Sequence, residues 1–427
     1  MNKVGKLALI GLVVIAIAAV IGMSIGQSAS TAAEPAAATK PAVARTGVPK
    51  LIDLGSKECI PCKLMAPILE EMKKDLAGKL QVEFTDVGLK ENLPLAKQYG
   101  VKLIPTQVFL DANGKELWRH EGYISRYGIL DKFRELGYAF ADEALKPAFS
   151  RLEPAKADDR AKEKVCFFCD GDIDAKTQVA VKTDKGDVRL CSPHCYFIMY
   201  SCLTEDKAGF EKKVSVTDWA AGKAVPLTEA VFLYGLDAKT AKPTIKAFAQ
   251  RDAATKEMQA AGGNIIDWKV LQAKELAHRC GFCDRAVYPE DVALVKIEGV
   301  YSWGCCSHCA MGVAARTGKD IEVYQPDRLT GEMVTVKMLG GYVASVEPTT
   351  AVAWFGLRKK PDGTYASAGC FHQGFFTSLD NLKKWAEQNP TEGGKMITID
   401  QALGDKMKMT PAQIAKACKL GECAPKK

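Results

Sequence analysis

Apolar and polar residues are distributed unevenly along this chain, and its first stretch is the most apolar. Lys3 and Lys6 precede an apolar run from Leu7 to Gly22, and a segment rich in Ala, Ser, Thr and Pro follows from Gln27 to Pro49. The run is long for the core of a signal peptide and near the minimum length of a membrane span. The segment after it predicts a flexible tether, which we assign to residues 27–48.

Residues 1–26 are predicted to form an uncleaved membrane anchor. With the lysines on the cytoplasmic side, the positive-inside rule places the bulk of the chain outside the cytoplasm. A signal peptide cleaved near Ser28-Ala-Ser30 is the alternative. Because both place the domains in an oxidising compartment, we expect a single-pass inner-membrane protein with its bulk in the periplasm or a similar extracytoplasmic space.

From residue 49 to residue 146, short apolar strands alternate with helical patterns. The run Leu51–Gly55 predicts a strand, and Met65, Ile68, Leu69 and Met72 follow it at helical spacing. Further strands, a turn and a closing helix are predicted at Val82–Val87, Thr106–Leu110, Asp111–Gly114, Glu116–Arg119 and Arg126–Leu136. This order indicates an α/β domain.

The motif Cys59-Ile-Pro-Cys62 lies between this first strand and its helix. A cysteine at a helix N-terminus has its thiolate stabilised by the helix dipole. Cys59 is therefore the predicted nucleophile and Cys62 the resolving thiol. The same spacing occurs in half of a zinc site, but the strand and helix around it favour redox chemistry.

This stretch, about Pro49 to Ala144, resembles a thioredoxin domain. The CxxC motif opens a helix after a strand, and Ile104-Pro105-Thr carries the cis proline that in this family lies against the cysteine pair. The resemblance implies thiol–disulfide oxidoreductase activity. The family usually has Trp-Cys-Gly-Pro-Cys, whereas Glu58 and Ile60 replace the Trp and Gly here, which leaves the redox potential and the partner open.

Two cysteine clusters in the second half are copies of one another. Cys166-Phe-Phe-Cys169 precedes Cys191-Ser-Pro-His194-Cys195, and Cys280-Gly-Phe-Cys283 precedes Cys305-Cys306-Ser-His308-Cys309. Corresponding residues are 114 positions apart throughout, as in 166 and 280 or 195 and 309. Such agreement indicates a duplicated module.

The spacing gathers four sulfurs into a space that one soft cation fills. The predicted metal ligands are Cys166, Cys169, Cys191, Cys195, Cys280, Cys283, Cys305 and Cys309. Zinc, copper and mercury all suit this ligand set, and a purely structural zinc is an alternative for each cluster. No organic cofactor is expected.

Length, cysteine count and net charge exclude further classes of protein. The 427 residues suggest about three domains, and 15 cysteines are too few for a disulfide scaffold in so long a chain. The net charge of +7 is spread without a basic block, so a nucleic-acid partner is not expected.

The repeats are predicted as two tandem α+β domains, because strands dominate and each unit ends with a helix and a strand. Their predicted bounds are residues 164–276 and 277–405. A charged linker is predicted at 147–163, and a tail at 406–427 carries Cys418 and Cys423. That last pair is a transfer dithiol, a disulfide or a pair without function.

The second repeat resembles the alkylmercury (organomercurial) lyases from about Trp303 to Leu403. Tyr301-Ser-Trp-Gly-Cys305-Cys306, Val343-Ala-Ser-Val-Glu-Pro348 and Gly369-Cys370-Phe-His372-Gln-Gly-Phe-Phe376 carry the resemblance. It implies that two thiolates bind mercury and that an acid protonates the leaving carbon.

Carried over by residue, the second lyase cysteine is Cys370 and the first is Cys305 or Cys306. The family's Asp three residues after the first cysteine is absent, because His308 or Cys309 stands there. His308 is then the candidate acid, since a histidine with its ordinary pKa of ~6.5 supplies a usable imidazolium. The alternative is a domain that binds the metal without catalysis.

The first repeat resembles the copper-binding accessory lipoproteins of nitrous oxide reductase, which share the fold of the lyases. Phe248-Ala-Gln-Arg-Asp-Ala253 and Gly262-Gly-Asn-Ile265 carry this resemblance, although Asp170 stands where those proteins have Met.

Three hypotheses follow. The first is a membrane-anchored thiol–disulfide oxidoreductase that keeps the thiols of soft-metal domains reduced or transfers metal, with electrons from a membrane donor. The second is a lyase acting on an organometal substrate through Cys305 or Cys306, Cys370 and His308. The third is a non-enzymatic copper or zinc chaperone.

Overall fold

A computed structural model describes residues 45–138, 149–183, 186–203, 206–239 and 242–417. The predicted anchor, most of the predicted tether and the tail cysteines at 418 and 423 lie outside these residues. Among the described residues, no helix has the length and apolar character needed to cross a bilayer.

The first domain is a four-stranded sheet with helices on both faces. Its central strand β1 pairs parallel with β2 and antiparallel with β3, and the order is β2-β1-β3-β4. The strands are β1 (Lys50–Gly55), β2 (Gln81–Asp86), β3 (Thr106–Leu110) and β4 (Glu116–Glu121), and the helices are α1 (Ile60–Asp75), α2 (Leu93–Gln98) and α3 (Arg126–Glu135). Each predicted strand is present, displaced by at most two residues at its ends.

The alternation of side chains along β1 explains why both faces are covered. Leu51 packs with Met65 of α1, and Ile52 and Leu54 face the opposite side with Val108. Successive strand residues point to opposite faces, so a continuous apolar run predicts a strand buried on both sides.

The predicted linker is not free of secondary structure. A two-residue strand, β5 (Ser150–Arg151), pairs antiparallel with a strand of the second repeat. The Arg151 guanidinium donates to the carbonyl oxygens of Ala386, Asn389 and Glu392 at 2.6–3.0 Å. These carbonyls lie at and beyond a helix C-terminus, where they have no intrahelical partner.

The first repeat contains two antiparallel sheets, with orders β7-β6-β8-β9 and β11-β10-β12. Its elements are β6 (Val179–Thr183), β7 (Gly186–Leu190), α4 (Pro193–Ser201), α5 (Lys207–Glu211), β8 (Val214–Thr217), β9 (Ala224–Pro226), β10 (Val231–Leu236), β11 (Pro243–Phe248), α6 (Arg251–Ala261), β12 (Asn264–Ile266) and α7 (Trp268–Glu275).

The second repeat has the same plan with longer sheets. One sheet has the order β14-β13-β15-β16-β17, and the other has β19-β18-β21-β5 with β20 paired to β18. The elements are β13 (Ala293–Ile297), β14 (Val300–Gly304), α8 (Ser307–Thr317), β15 (Ile321–Pro326), β16 (Met333–Leu339), β17 (Tyr342–Glu347), β18 (Val352–Lys359), β19 (Tyr365–Ser367), β20 (Gln373–Phe376), α9 (Leu379–Gln388), β21 (Gly394–Ile397), α10 (Ile399–Met407) and α11 (Pro411–Lys416).

The duplication inferred from the cysteines is therefore visible in the topology. In each repeat a hairpin leads into a helix, and β10 and β18 each pair with a following strand and with the strand after the next long helix. Even a backbone detail repeats, because Asp170 and Asp284, one residue after each CxxC, both have φ 59°.

The first domain packs directly on the second repeat. The backbone N–H of Tyr123 donates to the carbonyl of Val343 at 3.1 Å, and the Tyr342 hydroxyl donates to Glu121 at 3.0 Å. Gly122 permits this approach, since a Cβ there would lie 2.7 Å from the Cβ of Tyr342. The two domains share one continuous hydrophobic core.

Candidate redox and metal centres

The Cys59–Cys62 pair forms a disulfide at the start of α1. Cys59 is the N-cap residue, and its sulfur accepts a hydrogen bond from the backbone N–H of Cys62 at 3.3 Å. Cys59 is partly exposed, whereas Cys62 is 3 % exposed. An accessible sulfur at the helix N-terminus and a buried one behind it match the predicted nucleophile and resolving thiol.

Pro105 lies beside this pair and follows a cis peptide bond, as predicted. The carbonyl of Ile104, the residue before it, is 3.7 Å from the Cys59 sulfur. The loop between α2 and β3 thus contacts the Cys59 sulfur.

Asp53 is a chemically important residue that the sequence pattern did not single out. It is fully buried in β1, on the same strand face as Gly55, where a Cβ would lie 3.1 Å from the Cys62 sulfur. Burial raises its pKa from 3.8 to about 7, although a hydrogen bond from Gln107 lowers it slightly. A carboxyl group with that pKa exchanges protons readily at neutral pH.

The four predicted ligands of the first repeat come together. The sulfurs of Cys166, Cys169, Cys191 and Cys195 all lie within 4.8 Å of one another. Cys191 follows β7 and Cys195 lies in the first turn of α4, so a strand end and a helix start deliver two thiols side by side. Their sulfurs are 3.5 Å apart, and the sulfurs of Cys169 and Cys191 are 3.7 Å apart.

The second repeat reproduces this group. The sulfurs of Cys280, Cys283, Cys305 and Cys309 also lie within 4.8 Å of one another, and all four residues are buried. We call this set the first group of the second repeat. Cys283 and Cys305 approach to 3.7 Å.

A further set of four sulfurs in the same repeat was not predicted as a metal group. The sulfurs of Cys305, Cys306, Cys309 and Cys370 lie within 4.8 Å of one another. We call this set the second group. The sulfur of Cys370 is 3.5 Å from that of Cys305 and 3.9 Å from that of Cys309. The two cysteines taken from the lyase resemblance, Cys305 and Cys370, are therefore neighbours.

The crowded thiols perturb one another. Hydrogen bonding from Cys169, and also from Cys191 and Cys195, stabilises the Cys166 thiolate and lowers its pKa. The pKa values of Cys195, Cys305 and Cys309 are raised, because neighbouring thiols hydrogen-bond to their protonated forms and burial disfavours a second charge. A cation is what allows such a set to lose its remaining protons.

His308 does not have the protonation state expected of a general acid. It is buried in α8, and burial together with Lys406 lowers its pKa to about 3. Its Nδ1 is 3.0 Å from the Ser307 hydroxyl. The expectation of an imidazolium at neutral pH is wrong, because burial disfavours the charged ring and Lys406 repels it.

His194 and His372 each bind a carboxylate. Nδ1 of His194 is 2.7 Å from Glu275, and although burial alone would lower the pKa of His194, this ion pair raises it. Nδ1 of His372 is 2.8 Å from Glu392, and its Nε2 is 3.1 Å from Asp170 of the first repeat.

Asp170 and His372 form a contact between the two repeats, beside their cysteine clusters. Each lies within two residues of a cluster cysteine, and Asp170 also pairs with Arg358. The neighbouring rings of Phe168 and Phe371 meet edge to face with centroids 5.7 Å apart. No sequence signal at these positions predicted the contact, since it depends on how the repeats pack.

Comparison with known proteins assigns the first domain. A family profile described as Thioredoxin matches residues 36–135. A thioredoxin of Rickettsia felis is 33 % identical over 92 residues, which are 22 % of this chain and 85 % of that protein. The chain belongs to the thioredoxin family. A thioredoxin of Pseudomonas aeruginosa is 41 % identical over 66 residues, which are 15 % of this chain and 59 % of that protein.

The thioredoxin domain, with its Cys59–Cys62 pair, is a thiol–disulfide oxidoreductase, and it is fused to a region that resembles an alkylmercury lyase. The family profile Alkylmercury lyase matches residues 292–408. Among solved structures, the mercury-bound form of MerB2 is 19 % identical with a TM-score of 0.25, covering 36 % of this chain and 80 % of that one.

Proposed function

We propose that this chain is a membrane-anchored, extracytoplasmic oxidoreductase whose thioredoxin domain serves soft-metal-binding domains on the same chain. The observation that carries the proposal is the set of sulfur groups, each with four sulfurs within 4.8 Å and with no disulfide between them. Vicinal thiols in an oxidising compartment form disulfides and lose metal. A reductase on the same chain restores them.

The reaction is a two-step exchange. The Cys59 thiolate attacks one sulfur of an oxidised cluster pair, which forms a mixed disulfide and releases one cluster thiolate. The Cys62 thiolate then attacks the Cys59 sulfur, which forms the Cys59–Cys62 disulfide and releases the second cluster thiolate. Two electrons pass to the cluster, and Asp53 takes up the proton of Cys62.

The direct packing of the thioredoxin domain on the second repeat supports this role. Tyr123 and Tyr342 hold the two domains together, so the dithiol and the clusters belong to one compact unit. A dithiol on the same chain acts without depending on the concentration of a free partner. The re-reduction of Cys59–Cys62 requires a membrane-bound electron donor.

Metal reloading after oxidation tests the proposal. The full chain is oxidised, treated with a dithiol that reacts too slowly with the clusters directly but reduces Cys59–Cys62, and then given zinc. Wild type should recover its metal content, and Cys59→Ser should not. Cys202→Ser is the matched control, because Cys202 is buried outside all three groups with its sulfur 3.3 Å from the carbonyl of Ile198.

The variant Cys62→Ser should trap mixed disulfides between Cys59 and cluster cysteines, identified by peptide mass spectrometry. Equal recovery in wild type and Cys59→Ser, with no trapped species, would refute the redox role.

Cleavage of a carbon–mercury bond is a second candidate function, favoured by the 3.5 Å approach of the Cys305 and Cys370 sulfurs. Two thiolates on one mercury raise electron density on its carbon, which then requires a proton donor. Neutral His308 is not such a donor. We therefore expect tight methylmercury binding that depends on Cys370, and methane release measured by gas chromatography is the outcome that would establish cleavage instead.

A further inference from the structure

The two sulfur groups of the second repeat overlap. Cys305 and Cys309 belong to both, so six cysteines supply eight metal–sulfur positions. We propose that the second repeat holds two divalent ions of the zinc class, bridged by the sulfurs of Cys305 and Cys309. Cys280 and Cys283 are the terminal ligands of one ion, and Cys306 and Cys370 are those of the other. This deepens the proposed metal-binding function and depends on it.

The sulfur separations fit this arrangement. A zinc ion with ~2.3 Å bonds to four thiolates separates the sulfurs along each edge of the tetrahedron by about 3.8 Å. The measured separations are 3.7 Å between Cys283 and Cys305, and 3.5 and 3.9 Å from Cys370 to Cys305 and Cys309. A disulfide needs ~2.0 Å, so these sulfurs are spaced for a common ion rather than for a bond between them.

Two backbone hydrogen bonds fall on sulfurs proposed as terminal ligands, and neither of the two falls on a bridging sulfur. The N–H of Cys305 donates to the Cys280 sulfur, and the N–H of Cys309 donates to the Cys306 sulfur, both at 3.4 Å. Both acceptors are terminal ligands in the proposed pair. A terminal thiolate has lone pairs left for an N–H donor, whereas a bridging thiolate uses two of them on metal.

The fold explains why the two shared cysteines lie together. Cys305 follows β14 and Cys309 lies in the first turn of α8, with Cys306 between them as the N-cap residue. The hairpin of β18 and β20 then brings Cys370 against this turn. A strand end, a helix start and a hairpin thus converge on one buried point.

The charge around the cluster suits a dinuclear site. Six thiolates and two divalent ions carry a net charge of −2, which needs nearby cations in a buried location. Lys406 lies 4.8 Å from the ring centroid of Phe282, the residue before Cys283. Arg285, which is 4 % exposed, lies 5.0 Å from the ring of Phe371, the residue after Cys370.

The first repeat serves as an internal comparison with one ion. Ser192 occupies the N-cap position that Cys306 occupies in the second repeat, and no cysteine precedes β11 as Cys370 precedes β20. The single four-sulfur group found there is therefore complete with one ion. The full chain should bind three.

Metal counting tests the proposal. The full chain is prepared reduced and anaerobic, saturated with zinc, freed of loosely bound metal and analysed by elemental mass spectrometry. Wild type should hold three ions per chain. Cys306→Ser should hold two, and it copies the helix cap of the first repeat, since Ser is a favoured N-cap residue that preserves the helix start. Cys370→Ser should also hold two, and the control Cys202→Ser should hold three.

X-ray absorption at the zinc edge supplies an independent measurement. Two tetrahedra that share an edge, with ~2.3 Å bonds, place their metals about 2.7 Å apart. This zinc–zinc distance should appear in wild type and disappear in Cys306→Ser and Cys370→Ser. Two ions in wild type with no zinc–zinc distance would overturn the bridged pair and leave the one-ion-per-repeat function intact. No bound metal at all would refute the proposed function itself.

Discussion

The two repeats are copies of one module, and they differ at the helix cap beside their four common cysteines. Both place four thiols at the same spacing around a strand end and a helix start. The first has Ser192 at the helix cap, whereas the second has Cys306 there and receives Cys370 from a hairpin. The difference teaches that the helix start gathers the four common thiols, while the residues that surround it decide whether further thiols join them.

The duplicated histidines have diverged in the same way. His194 is paired with Glu275, whose side chain is almost completely buried, and Glu275 also accepts a hydrogen bond from Tyr288 at 2.6 Å. Its counterpart His308 packs against the ring of Phe355 and has its pKa lowered to about 3. One copy holds a charged pair and the other a neutral ring.

The largest expected contrast comes from a matched pair of substitutions at equivalent positions. Cys309→Ser removes a ligand from both groups of the second repeat, whereas Cys195→Ser affects only one group. We expect the first variant to lose two zinc ions and the second to lose one, measured by elemental analysis of the full chain. Equal losses would show that the repeats have the same capacity.

A smaller effect, on the free energy of unfolding, is expected for the buried carboxyl group of Asp53. The folded-state pKa of Asp53 is raised from 3.8 to about 7, so the folded chain binds an extra proton between about pH 4 and pH 7. The free energy of unfolding therefore falls as pH rises through that window. Asp53→Asn should remove this loss and stabilise the thioredoxin domain by up to about 4 kcal/mol at pH 8.

Hydrogen exchange of the β1 and β3 amides at pH 4 and pH 8 measures this effect on the domain alone. The metal content of both repeats should stay unchanged in Asp53→Asn. A variant that loses stability with pH as wild type does would contradict the assignment to Asp53.

The smallest contrast is expected between His194 and His308, in the stability that each substitution costs. His194→Asn leaves Glu275 buried without its cation, which should cost about 3 kcal/mol. His308→Asn removes a neutral ring and one hydrogen bond, which should cost about 1 kcal/mol. Hydrogen-exchange protection of α4 and α8 compares the two, and equal destabilisation would contradict the assigned charge states.

Much of this architecture could be predicted from residue patterns. The strands at Leu51–Gly55 and Thr106–Leu110 are continuous apolar runs, and such runs are typical of strands buried on both faces. The cysteine offset of 114 predicted both the duplication and the eight cysteines that come together in two four-sulfur groups. Local spacing was sufficient because each CxxC and each CxxxC is held by one turn of backbone.

The remaining features depend on contacts that are distant in sequence. Cys370 joins Cys309 from 61 positions away, and only a hairpin brings it there. Asp53 lies inside an apolar run and looks like an ordinary strand residue until its complete burial is known. The sequence predicts Arg151 to lie in a linker, because nothing in a short charged segment indicates that the C-terminus of α9 lies nearby with carbonyl groups that need hydrogen-bond donors.

Because Cys305 and Cys309 belong to both sulfur groups of the second repeat, the two groups become complete in a fixed order as the chain is made. Its first group is complete once the chain has been made as far as Cys309, whereas its second group must wait for Cys370 and for the hairpin that carries it. Because an exported chain reaches its compartment N-terminus first, the first ion of the proposed pair would have its full ligand set before the second ion has one. In the proposed pair, the earlier ion would hold in place the turn that carries Cys305 and Cys309, on which the later site is built.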